Sequence, residues 1–231
     1  MGIATVRICA LVVGLFTGCT AACAGGSPES GRAPETVSAA PQSAQPEQPA
    51  QVQSVDAAAL GATWRPGCPV PPAALRRITL SYFGFDGRSH RGELVVNRDA
   101  VSDVITIFAE LYSARFPIEK MHTVDNYPRA EDELSMQDNN TSAFNCRQLP
   151  SGAWSLHAYG RAVDINPLIN PYISASGDLQ PATARAYLDR ARTDQGMIRD
   201  GDVVVRAFAG HGWKWGGNWR DPVDYQHFER R

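Results

Sequence analysis

Histidine is scarce in this chain, with five in 231 residues, so each can be tested by its company. His157 and Asp164 stand seven apart in "SLHAYGRAVDINP", and Asp224 and His227 stand three apart in "DYQHFE" near the C-terminus. Two imidazoles and one carboxylate are a suitable donor set for catalytic zinc. Three protein ligands leave a fourth position open to water, whose pKa falls towards about 7 when bound. A second carboxylate that does not bind the metal can then take a proton from that water. The same donor set admits other divalent metals. The bland alternative for the first stretch is a surface turn leading into a strand.

These residues need elements to carry them. At i and i+7 His157 and Asp164 would share a helix face, but Gly160, β-branched Val163 and Ile165, and Pro167 argue against a helix. A loop that turns at Gly160 and enters a strand also brings the two side chains together. On that strand Arg161, Val163 and Ile165 face one side, and Ala162, Asp164 and Asn166 the other. Upstream, "GELVVN" has strand composition, and Val101, Val104, Ile105, Phe108, Leu111 and Tyr112 recur at helical spacing, with Asp99 as N-cap. "FPIEKM" reads as a short extended run, and residues 127–154 mainly as loop. "QPATARAYLDRAR" and "DGDVVVRAFAGHG" read as helices, the second ending at Gly210 or Gly212. Strands and helices mix without βαβ regularity, so the expected class is α+β, a small antiparallel sheet with flanking helices.

The ends and the cysteines bound the rest. Residues 1–18 carry one Arg and a short apolar run, as in a secretory signal. "LFTGC" resembles the lipobox of bacterial lipoproteins, which implies lipidation at Cys19; "TAAC", ending at Cys23, is a weaker alternative, and ordinary signal cleavage near Ala24 is the competitor. Residues 19–63, rich in Ala, Pro, Gln and Ser, read as a disordered tether with a mean reach on the order of 35 Å. The folded domain is expected over residues 64–231. Of 22 basic residues the segment before it takes Arg7 and Arg32; of 24 acidic ones it takes Glu29, Glu35, Glu47 and Asp56, leaving 20 of each. A neutral domain without a basic block lacks the footprint of a nucleic-acid binder. Cys68 and Cys146 remain, most simply as a disulfide in an exported domain, with two free buried thiols as the alternative.

"SLHAYGRAVD" resembles the Ser-x-His-x-x-Gly-x-Ala-x-Asp signature of the zinc D,D-peptidases, peptidase family M15, at every specified position. "DYQHFE" is similar to that family's second motif, and "GHGWKWGGNW" resembles the Trp-Gly-Gly element of its L-alanyl-D-glutamate peptidase branch. The resemblance covers roughly residues 113–229. It implies a hedgehog-like fold, zinc held by His157, Asp164 and His227, and Asp224 as general base and later proton donor. It also implies an arginine before the first motif that polarises the scissile carbonyl. Arg147 is the candidate and Arg115 the runner-up; either could instead be a surface salt-bridge residue.

The expected protein is therefore an exported, membrane-anchored zinc peptidase of the cell envelope, acting on peptidoglycan stem peptides. The bond cleaved is D-Ala-D-Ala, which the family name favours, or L-Ala-D-Glu, which an Asp at position 224 favours. A non-catalytic, zinc-stabilised module that binds cell-wall peptide is the alternative from another class. Among the remaining residues, His211 is expected to end a helix, and His90 and His122 have no assigned role. Trp213, Trp215 and Trp219 line a groove or pack the C-terminal turn. Ser155 supports the site by hydrogen bonding, and Tyr159 faces substrate or core.

Overall fold

The computed structural model describes residues 48–231. The expected signal segment, the Cys19 lipidation site and the tether up to residue 47 lie outside the described residues. Two long strands, β2 (Leu75–Phe83) and β3 (Ser89–Asn97), form an antiparallel ribbon in which Ile78 faces Leu94 and Arg76 faces Val96. Alternation gives this ribbon two apolar faces. Ile78, Leu80, Tyr82, Leu94 and Val96 belong to the main core, whereas Leu75 and Val95 join Leu60, Phe144 and Cys146 in a second cluster.

The second cluster draws in chain that composition assigns to the tether. Strand β1 (Gln51–Ser54) pairs antiparallel with β2, and helix α1 (Ala57–Leu60) buries Leu60. A disordered tether reaching residue 63 is thus corrected: residues 51–63 belong to the fold. All four β1 side chains are exposed, so the strand is held by its backbone ladder and leaves no hydrophobic pattern to read. Arg91 adds to this by donating to the carbonyls of Gln48 and Pro49. Cys68 and Cys146 are disulfide-bonded, with Cα atoms 5.9 Å apart.

Helix α2 (Val101–Ser113) lays Val104, Ile107, Phe108 and Leu111 on the ribbon, the i, i+3, i+4, i+7 stripe of a half-buried helix. Asp99 does not cap it. The cap position is Ala100, without a side-chain bond, and Asp99 pairs with Arg161 and Arg230. After strand β4 (Lys120–Met121), the segment expected as loop contains a short helix, α3 (Asp132–Gln137), and strand β5 (Asn140–Thr141), which is parallel to β4.

Strands β6 (Ala162–Asp164), β7 (Tyr172–Ile173) and β8 (Leu179–Gln180) follow. Where "QPATARAYLDRAR" suggests a helix there is only β8 and a 3-10 turn, Ala184–Leu188. Only Ala184 of that turn is buried, and a helix without a packed face is marginal in water. Helix α4 (Val203–Gly210) forms as its pattern predicts, with His211 at its C-cap, and Phe208 stacks on Phe228 at a centroid distance of 4.1 Å. Strands β9 (Lys214–Trp215), β10 (Val223–Asp224) and β11 (His227–Glu229) end the chain. The architecture is mixed α and β with small, mostly antiparallel sheets, ordered β1-β2-β3, β6-β11-β9 and β7 between β10 and β8. Among the described residues no helix is long and apolar enough to cross a membrane.

Candidate metal centre

The sheet β6-β11-β9 separates core from chemistry by strand alternation. Phe228 lies opposite Val163 and Trp215, and all three enter the main core. His227 lies opposite Asp164, so these two side chains share the other face. The alternation expected for β6 holds, with Val163 and Ile165 in the core and Asp164 in the site.

His157 arrives from a 3-10 turn, Leu156–Tyr159. Ser155 caps it, its Oγ accepting from the His157 amide at 3.3 Å. The turn ends at Gly160 in the left-handed region (φ 66°), where an added Cβ would lie 2.5 Å from the Asn97 nitrogen. Only glycine lets the turn lie this close to β3, whose Asn97 amide donates to the Gly160 carbonyl at 2.8 Å. Asn97 Nδ2 also donates to the Tyr159 carbonyl. His157 Nδ1 donates to the Ala143 carbonyl, so Nε2 points into the site.

There the three groups converge. His157 Nε2 lies 3.0 Å from Asp164 Oδ2, His227 Nδ1 lies 2.9 Å from Asp164 Oδ1, and the two ring nitrogens are 3.2 Å apart. His157, Asp164 and His227 are 2%, 5% and 7% exposed, with their ligand atoms all within 4.8 Å of one another. Ligands about 2.1 Å from a tetrahedral ion stand about 3.4 Å apart, so this donor set fits a zinc-sized cation. Burial works against the charged forms of Asp164 and His227. The two histidines nevertheless hold Asp164 well below the usual carboxylate range, and Asp164 and Glu229 push His227 up to about 10.

Asp224 reaches the site from β10. Its backbone is approached closely by Gly216, where an added Cβ would sit 2.7 Å from the Asp224 carbonyl oxygen, which is a physical reason for the Trp-Gly-Gly element. The residue keeps some surface, yet Oδ1 is shut off from solvent and accepts no hydrogen bond among the described residues. Burial, helped by Asp164, pushes its carboxyl up to about 7 against the pull of His227, His157 and Arg147.

Arg147 Nε lies 2.8 Å from Asp132 Oδ2, without the alignment of a hydrogen bond. Burial opposes its charge; Asp132, Asp164 and Asp224 more than offset this and keep the guanidinium protonated. Arg147 thus shares the electrostatic surroundings of the site, whereas Arg115 stacks on Phe83. Trp219 packs its ring 5.5 Å from that of His227, while Trp213 and Trp215 are core residues.

Two further residues escaped the sequence reading. Tyr172 lies opposite Asp224 in the β7–β10 ladder, and nothing in its spacing marks it. Glu229 stands two residues after His227 on one strand, a signal that alternation could have supplied.

Residues 150–230 match a family model described as D-alanyl-D-alanine carboxypeptidase. The match supports the M15 peptidase family. It contains His157, Asp164, Asp224 and His227, and begins three residues after Arg147. No curated protein and no solved structure matches the chain. The match supports a hydrolase of peptide substrates, and His157, Asp164 and His227 form a group that could hold a metal ion.

Proposed function

We propose that this chain is a zinc-dependent peptidase of peptidoglycan stem peptides, with the hedgehog-like fold that accompanies that activity. The observation that carries the reading is the convergence of His157, Asp164 and His227 beside an enclosed Asp224 carboxylate oxygen that has no hydrogen-bond partner among the described residues. Zn2+ held by those three side chains would supply Lewis-acid chemistry, acidifying water and polarising a peptide carbonyl. Asp224 takes the proton of the attacking water and returns it to the leaving amine; burial that raises its proton affinity suits both tasks. Arg147 sets a fixed positive charge towards the oxygen that becomes negative as the carbonyl is attacked. D-Ala-D-Ala is the favoured bond, in keeping with the matched family description, and L-Ala-D-Glu the other. The N-terminal segment would export the domain and anchor it through Cys19 to the membrane of the cell envelope.

The test is digestion of purified muropeptides, read by mass spectrometry, with wild-type protein and Asp224→Ala. Loss of at least about 100-fold in turnover with zinc content unchanged is expected. Undiminished turnover would sink the role of Asp224. Zinc binding and muropeptide binding without any cleavage by the wild type would favour the non-catalytic binding module.

A further inference from the structure

The two histidines of the site are turned in opposite senses. His157 directs Nε2 inward and ties Nδ1 to the Ala143 carbonyl. His227 directs Nδ1 inward, 2.9 Å from Asp164 Oδ1, and its Nε2 lies 3.4 Å from Glu229 Oε2. Glu229 is on the same strand face as His227 and is only 7% exposed. Its other side-chain ion pair among the described residues is with Arg231 Nε at 3.3 Å, from a side chain that is 83% exposed and so a weak reason to bury a carboxylate. Its ladder partners are Ala162 on β6 and the exposed Lys214 on β9. Metal-ligating histidines as a rule donate their second N–H to a carboxylate or carbonyl, which fixes tautomer and ring orientation.

We propose that Glu229 is a positioning residue: by accepting the Nε2–H of His227 it holds that ring with Nδ1 as its metal-binding atom. Trp219, packed against the ring, limits its rotation but offers no acceptor for the N–H in that packing. The assignment rests on the metal centre proposed above and needs no peptide to test.

Long-range 1H–15N NMR of the histidine side chains in the zinc-loaded full domain should find His227 metal-bound at Nδ1 and protonated at Nε2, with His157 the reverse. Competition with a chromophoric chelator should find Zn2+ bound about 10- to 100-fold more weakly by Glu229→Ala. Glu229→Gln, whose amide oxygen can accept the same hydrogen bond, should recover most of that loss. A merely structural carboxylate would lower melting temperature in both variants and leave the wild-type-like zinc affinity and His227 signals in place. That pattern, or His227 bound through Nε2 in the wild type, would overturn the proposal. Should Glu229→Ala fail to fold, the wild-type spectrum and Glu229→Gln still decide it. Wild-type protein that binds no Zn2+ would remove the metal centre and this inference together, whereas loss of the peptidase reading alone leaves both readouts standing.

Discussion

At the scale of single residues, His227 would link protonation to occupancy of the proposed metal centre. Without metal its proton is held up to about pH 10 by Asp164 and Glu229, although burial opposes the charge. A divalent ion must displace that proton from Nδ1, so Zn2+ affinity should rise about tenfold per pH unit between roughly pH 7 and 9. Calorimetry in buffers of different ionisation enthalpy should count at least one proton released. The sign for stability runs the other way. A histidine whose folded pKa is raised stabilises the fold fully below its unfolded pKa of about 6.5 and loses that contribution as pH rises towards about 10. The chelated domain should therefore melt lower at pH 9 than the His227 contribution allows at pH 6.5, and Zn2+ should narrow the gap. Arg147→Ala should reduce turnover about 100- to 1,000-fold while zinc content holds, because it acts on developing charge rather than on the ligands.

At the scale of elements, the turn Gly216–Asn218 sets the position of Asp224, the proposed base. Gly216→Ala would drive a methyl group against the Asp224 carbonyl oxygen and Cβ, at 2.7 and 2.9 Å. We expect turnover to fall about 10- to 100-fold with zinc affinity unchanged, since the proposed ligands sit on β6, β11 and the His157 turn. This is also where the sequence was most legible. Gly160 and the alternation after it encode a turn and a strand that local pattern can reveal, and the motif supplied the distant partners. Strand β1 was illegible because its side chains face water and its stability lies in backbone pairing with β2. The stretch after Pro181 misled for the opposite reason: good helix formers there have no apolar face to bury, and propensity alone does not hold a helix. Tyr172 could be placed beside Asp224 only by a ladder between strands about fifty residues apart, which no local period announces.

At the scale of the molecule, residues 51–63 are structural. A chain beginning at residue 64 removes β1 and the buried Leu60, and should melt below one beginning at residue 48 in side-by-side thermal scans. Replacing Cys68 and Cys146 by alanine, which opens a loop of 78 residues, should cost about 2–4 kcal/mol in chemical denaturation. The ladder between β6 and β11 carries a different consequence. His227 and Asp164 are direct cross-strand partners 63 residues apart in sequence, so an ion shared between them would be a removable cross-link over that whole length of chain. Amide hydrogen exchange at Val163 and Phe228, which sit next to Asp164 and His227, should slow when Zn2+ is added and quicken under a chelator. Occupancy of the centre would then set how often these two strands part, and with it how readily a protease could enter the domain.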